Sequence, residues 1–492
     1  MKRFLYILGF LIAFSATAWS QSSRQISRLG DANGDGQISL SDLATVIDYL
    51  GGYTTQPIDH VGADVNADMK VDEKDLEKLV EILLGKSLSI VLPEEIEQVD
   101  IENEAVKAYL GQNIANKPIF GSSTWATTTA LNKKYLDHDT PIGKTITWDG
   151  NEENNYRVVI IDLIKEHQGK FPEISIKGLS YTCNNLVPGH VYYYVVRNAD
   201  RVEVKSGVFK VKDNQVRMVK ITDSWNWRDL GGWPSTLGGH VKYEWLYRGG
   251  SLNGKWLKEL TFGFLNLGSD ADKSSSTDIA NPENYDFSQI SRDEIIAMGI
   301  QGELDFRNTK EEKSDKDYSH ALALQNTSGQ TIPNTGIDGW TYKRIKTSDA
   351  LSNPLGNDAV VRDVEYLIDQ VLSGHPTAFH CKSGADRTGA VAFIILALLG
   401  VEEGYIAQDY ELTNYSSELG RVQKKSPAFR DRKANDKSKE INTFLANGIK
   451  KSGYPGNTLQ EKAYYYLNQQ FTTGTKISTS KLDAFIDFML VR

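Results

Sequence analysis

The ten residues HCKSGADRTG, 380–389, bring a thiol, a guanidinium, a hydroxyl and a carboxylate into one short stretch. Cys381 is one of only two cysteines in the chain, and Arg387 follows it six positions later. If a strand ends at Cys381 and a helix starts near Arg387, the loop between them turns its backbone N–H groups inward. Together with the positive end of the helix they form an anion cradle. The cradle is made by the N–H groups of Lys382, Ser383, Gly384, Ala385, Asp386 and Arg387. Gly384 supplies the freedom in φ that such a turn needs. A thiol placed there is pushed towards its thiolate by the amide dipoles and the guanidinium. Arg387 offers a planar fork for two phosphate oxygens. Thr388 offers a hydroxyl that steadies the sulfur as a leaving group. This is equipment for covalent phosphoryl transfer through a cysteinyl-phosphate. His380 is read as orienting the loop through hydrogen bonds. A buried core thiol is the competing reading for Cys381, but it leaves Gly384, Arg387 and Thr388 unexplained.

The surrounding pattern supplies the elements that must hold this loop. TAFHC (377–381) reads as a strand, and TGAVAFIILALLG (388–400) as an apolar helix closed by Gly400. GELDF (302–306) reads as a further strand. SRDEIIAMG carries Ser291 and Glu294 at capping-box spacing and a stop at Gly299, and Thr309 and Glu312 repeat that spacing. Strands alternating with helices imply an α/β layer fold.

HCKSGADRTG resembles the cysteine-x5-arginine signature of protein tyrosine phosphatases. DRTG is similar to a bacterial group whose members also carry phosphoinositide or inositol-phosphate activity. NWRDLGGW (226–233), YRGGSL (247–252), ELDFRNTKEE (303–312) and the tail KLDAFIDFML extend the resemblance over about 216–492. It implies a central sheet flanked by helices, with Cys381 as nucleophile and Arg387 as phosphate clamp. Residues 380 and 382–385 then surround the substrate, and no cofactor serves catalysis. Asp386 is the first choice for general acid; Asp305 and Asp229 are alternatives, each equally explained by a buried pair with Arg307 or Arg228. The group has lysine before the loop aspartate. Here Ala385 stands in that place and a lysine appears at Lys382. Phosphotyrosine, phosphoinositides and inositol phosphates all fit such a cradle. A cysteine protease would need a histidine base, and nothing couples His240, His320 or His375 to Cys381. A Walker phosphate loop is absent. The other class to weigh is a tethered assembly component with weak or no catalysis.

The tether would lie near the N-terminus. DANGDGQISLSD (31–42) is matched 33 residues later by DVNADMKVDEKD (64–75). Both place oxygens at the loop positions that wrap a calcium ion. The first copy offers Asp31, Asn33, Asp35, the carbonyl of Gln37, Ser39 and Asp42. The second offers Asp64, Asn66, Asp68, the carbonyl of Lys70, Asp72 and Asp75. Helices are expected over 41–50 and 73–84, ending at Gly51 and Gly85. A duplicated loop-plus-helix with aspartate at the twelfth position resembles the dockerin family over 28–87. That resemblance implies structural Ca2+ and a cohesin-like protein partner, read by Leu40–Ser41 or Glu73–Lys74.

An acidic linker (88–104) precedes a segment (105–215) of alternating β-branched and aromatic residues. Period-two patterning reads as an all-β sandwich, and LVPGHVYYYVV (186–196) resembles a strand of fibronectin type III domains. Tyr192, Tyr193 and Tyr194 are read as alternating between core and surface, and Cys183 as a small core residue. The fold class is therefore multidomain: a small α-helical module, a sandwich and an α/β catalytic domain over 216–492. Lys2 and Arg3, an apolar stretch from Phe4 to Phe14 and the small residues of SATAWS read as a signal peptide (1–20). The mature chain is then expected to be secreted, periplasmic or at the cell surface, without a membrane span, its two thiols unbridged. A net charge of −9 removes the broad basic field that nucleic-acid binding requires.

Overall fold

A computed structural model describes residues 29–34, 37–52, 58–66, 70–83, 96–110, 141–162, 174–199, 203–213, 216–222, 224–250, 252, 289–306, 323–325, 331–333, 341–345, 358–381, 384–415, 456–469 and 474–492. The signal-peptide segment and the Thr309/Glu312 spacing lie outside them. Two compact units are present.

The first unit comprises 1–100, 144–183 and 188–213. Its helices are α1 (Leu40–Leu50), α2 (His60–Ala63) and α3 (Glu73–Leu83). Ser39 caps α1 and forms a capping box with Asp42, while Gly51 closes it by donating to the Ile47 carbonyl. The two copies of the repeat share one small core of Ala32, Leu43, Val46, Ala63, Val65 and Leu79. The strands are β1 (Glu97–Val99), β2 (Lys144–Thr147), β3 (Asn155–Asp162), β4 (Ile174–Lys177), β5 (Ser180–Cys183), β6 (Val191–Arg197) and β7 (Glu203–Val211). Five of them form a sheet in the order β1-β7-β6-β3-β4, and β2 and β5 form a separate antiparallel ladder. Only the β1–β7 pair is parallel in the larger sheet.

The tyrosines of β6 depart from expectation. Tyr192 and Tyr193 point to opposite faces, yet both are buried. Tyr192 stacks on Phe209 at 5.3 Å. Tyr193, with Val191 and Val195, packs against Leu29 and Val61 of the helical module. The module covers the face that alternation alone would leave to water. Cys183 is buried and unbridged; burial, with Asp162 adding to it, pushes its thiol up to about 12.

The second unit comprises 101–143, 184–187 and 214–492. It contains α4 (Glu104–Leu110), β8 (Arg228–Asp229), β9 (His240–Val241), β10 (Leu246–Gly249), α5 (Gln289–Ala297), β11 (Gly302–Asp305), β12 (Ala323–Gln325), β13 (Thr331–Pro333) and β14 (Thr341–Arg344). These are followed by α6 (Ala359–Leu372), β15 (Thr377–His380), α7 (Asp386–Leu398), α8 (Glu403–Glu411), α9 (Leu459–Asn468), α10 (Thr479–Met489) and β16 (Leu490–Val491). The main sheet runs β14-β11-β15-β10-β8, all parallel except β8. β15 is its central strand, so all four of its residues are buried. Helix α7 is apolar all round because it is enclosed by α6, α8, α9 and the strands β10 and β15. α4 joins this core through Ala105, Val106 and Tyr109. β16 closes the unit by pairing with β9, and β12 with β13.

Helix α5 begins at Gln289, two residues before the expected cap. Ser291 is therefore inside the helix and buried. Glu294 turns instead to Thr222, accepting from its N–H at 2.6 Å and its hydroxyl at 2.8 Å. The tertiary partner offers two donors where a cap offers one. Among the described residues no helix is long and apolar enough to cross a membrane.

Candidate active site

The four parallel strands end level with one another. Gly249, His380, Asp305 and Arg344 are in register at their C-terminal ends. In an open α/β sheet this edge is where ligands bind. Cys381 stands one residue beyond it on the central strand, 3% exposed.

The loop that follows is held by backbone packing. Gly384 has φ +67°, and a β-carbon there would run into the Gly249 carbonyl and lie 2.7 Å from the Gly250 nitrogen. Gly389 is constrained by a side chain instead: its β-carbon would stand 2.6 Å from the Tyr410 ring. Ala385 is buried and precedes α7. Lys382 and Ser383 lie outside the described residues, as does the side chain of Asp386, whose backbone opens the helix.

Arg387 is half-buried, and its Nη1 donates to the Phe306 carbonyl at 3.1 Å, so its guanidinium is anchored across the strand ends. The Thr388 hydroxyl is fully buried and has no hydrogen-bond partner among the described residues. Such a group needs a partner, and the sulfur anticipated for it lies in the same loop. His380 is enclosed: Nε2 meets Glu303 Oε1 at 2.8 Å and Nδ1 meets the Cys381 carbonyl at 3.2 Å. A carbonyl only accepts, so Nδ1 donates and fixes the ring against the Cys381 backbone.

Of the alternative acids, Asp305 is buried at the end of β11. Asp229 pairs with Arg217 Nη1 at 2.9 Å, not with Arg228. It also accepts from the N–H groups of Gly231 and Glu244, both at 2.8 Å. Burial pushes its carboxyl up, against the pull of Arg217 and these donors. Arg217 in turn donates to the carbonyls of Leu186 and Asn185 and to the Tyr247 hydroxyl. The pair braces the outer strands.

Arg228 belongs to a different group. Its Nε donates to Asp409 Oδ1 at 2.9 Å and its Nη2 to the Asp409 carbonyl at 2.7 Å. Arg248 Nη1 is paired with the other Asp409 oxygen, and Arg248 Nη2 donates to the Gly384 carbonyl at 2.9 Å. Burial alone would raise the Asp409 carboxyl, but the two guanidiniums outweigh it and hold it low. Burial and repulsion from Arg248 pull Arg228 down to about 10, against the attraction of Asp409. The sequence marks Arg248 only as part of a motif block, and Arg228 as a partner for Asp229. Asp409 carries no local signal at all.

In the first unit, the duplicated loops show duplicated bonding. Asp42 accepts from the N–H groups of Asn33 and Ser39 at 3.1 and 2.8 Å. Asp75 accepts from Asn66 and Asp72 at 3.0 and 2.8 Å. Asp31, Asp42, Asp64 and Asp75 are all buried. Each loop thus encloses two carboxylates, Asp31 with Asp42 and Asp64 with Asp75, oxygen donors of the kind a hard cation takes. Asn33, Ser39, Asn66 and Asp72 are half-buried, while Gln37 and Lys70 are exposed; Asp35 and Asp68 lie outside the described residues.

The model of the tyrosine phosphatase family matches residues 281–476, and that of the dockerin type I domain matches residues 29–84. No curated protein matches the chain. β8 and β10 precede the matched phosphatase segment, yet they complete its sheet. Dockerin type I domains bind calcium as a structural ion, bind cohesins, and occur in extracellular or cell-surface proteins. The chain is a multidomain protein that carries a tyrosine phosphatase family domain, hence a phosphatase hydrolase, joined to a dockerin type I domain.

Proposed function

We propose that the chain is a secreted phosphatase that hydrolyses phosphate monoesters, phosphotyrosine among them, through a cysteinyl-phosphate. The Cys381 thiolate attacks phosphorus in line with the ester oxygen. The P–O bond to the leaving group breaks, and Asp386 gives that oxygen a proton. Water then attacks the phosphorus of the S–P bond, losing its proton to Asp386, and inorganic phosphate leaves with Cys381 restored as thiolate. Arg387 and the N–H groups of 382–387 carry the charge on the equatorial oxygens. Thr388 supplies a hydroxyl to the sulfur, and His380 holds the strand end.

One observation carries this reading. Cys381 leaves the central strand at the C-terminal edge of the parallel sheet, with Arg387 in the first turn of the helix that follows. The dockerin domain serves attachment: the twelve residues named in its loops hold two Ca2+ ions, and a cohesin-like protein is the partner. The signal-peptide pattern supplies export. The strands of the first unit are read as a sandwich-like spacer.

The test is turnover of 4-nitrophenyl phosphate by the full chain. Cys381→Ser is expected to abolish hydrolysis and retain oxyanion binding. Undiminished activity in that variant would remove the covalent mechanism. A panel of phosphotyrosine peptides, phosphoinositides and inositol phosphates then ranks the substrates.

A further inference from the structure

We propose that Asp409 is a positioning residue for the phosphate loop, acting through Arg248. The role rests on the cysteine-dependent reading above and extends it to a residue outside every motif that supports it.

Arg228 and Arg248 stand directly opposite each other on the antiparallel pair β8–β10. Both are fully buried. Like charges at that spacing repel, and in a dry interior the repulsion is strong. Asp409, on α8, lies between them and takes one guanidinium on each carboxylate oxygen. With Nη1 held there, Arg248 presents Nη2 to the Gly384 carbonyl at 2.9 Å.

That one bond sets the direction of a peptide plane. In a trans peptide the C=O and the following N–H point in opposite directions. Tying the Gly384 carbonyl back to Arg248 therefore turns the Ala385 N–H to the other side of the loop, where the reading places the phosphate. Among the described residues two guanidiniums share the one Asp409 carboxylate, a net positive charge that favours a bound dianion. α8 adds a second brace through Tyr410, which lies against Gly389. The loop is thus oriented by a carboxylate that touches neither substrate nor sulfur.

The experiment uses the full chain in the Cys381→Ser background, with tungstate binding measured by calorimetry. Arg248→Lys keeps the charge but cannot hold both Asp409 and the carbonyl. Asp409→Asn removes the hub. Leu367→Ala, a cavity in the core at α6, controls for lost stability, with the melting temperature of every variant recorded. Tungstate affinity is expected to fall at least tenfold in Arg248→Lys and in Asp409→Asn, and to stay within twofold in Leu367→Ala. With Cys381 restored, kcat/KM for 4-nitrophenyl phosphate is expected to fall at least tenfold in Arg248→Lys. A folded Arg248→Lys protein that binds tungstate within twofold of its parent overturns the role. An equal loss in Leu367→Ala overturns it too, because stability alone would then explain the effect. If Arg248→Lys fails yet Cys381→Ser still abolishes turnover, only the positioning role is lost. If the parent Cys381→Ser chain binds no tungstate, the loop reading falls and takes this role with it.

Discussion

The backbone of Gly384 lies so close to that of Gly249 that no side chain fits between them. One residue belongs to the loop after the central strand, the other to the end of the neighbouring strand. Their contact seats the loop on the sheet edge, and it explains a glycine that the motif only announces.

Gly384→Ala is therefore expected to displace the loop. Both the positive φ and the clash act in the same direction, and strained backbone of this kind costs about 1–3 kcal/mol. The expected outcome is a loss of at least a hundredfold in kcat/KM for 4-nitrophenyl phosphate, with a lowered melting temperature. Activity within tenfold of wild type would show that the contact does not control the loop.

Arg387→Lys should be nearly as damaging despite the kept charge. An ammonium cannot grip two phosphate oxygens and the Phe306 carbonyl in one plane. A loss of about 3–4 kcal/mol in transition-state stabilisation is expected, seen in kcat more than in KM. A variant that changed KM alone would point to simple ground-state binding.

Cys183 gives a pH prediction. Its folded pKa is raised to about 12 by burial, above the unfolded value of about 8.5. A raised value means that the thiol's contribution is fully present below the unfolded pKa. It is lost progressively as pH rises towards the folded one. Between about pH 8.5 and pH 10 the wild type should lose about 1.6 kcal/mol more stability than Cys183→Ala. Denaturant melts at the two pH values test this, and parallel losses in both proteins would refute it. At neutral pH, iodoacetamide should spare Cys183.

Calcium removal should act on the first unit. Leu29 and Val61 of the dockerin domain cover the Tyr193 face of the sheet. Chelation is expected to unfold residues 29–84 and to change the near-ultraviolet signal of Tyr193, because that face loses its cover. Hydrolysis of 4-nitrophenyl phosphate should survive, since the phosphatase unit has a core of its own. Loss of activity on chelation, restored by calcium, would contradict that independence.

Chemistry-bearing residues were legible in the chain because their spacing is local. A ten-residue stretch with Cys381, Gly384 and Arg387, and two acidic repeats 33 residues apart, declare their geometry through short-range turns and helix starts. The helix after Cys381 is legible for the same reason, as a continuous apolar run from Ala390 to Leu399. What supports them was not. Asp409 meets Arg228 across 181 residues, and Arg217, not Arg228, takes Asp229. The spacing of Ser291 and Glu294 suits a helix cap, yet Glu294 serves Thr222. Tyr193 was placed by alternation, but a neighbouring module covers it. Local spacing specifies which groups can react, because bond geometry limits where a nearby residue can go. The partners of buried charges, and the covering of a sheet face, are chosen among distant segments by desolvation and packing, and only the assembled tertiary structure makes that choice.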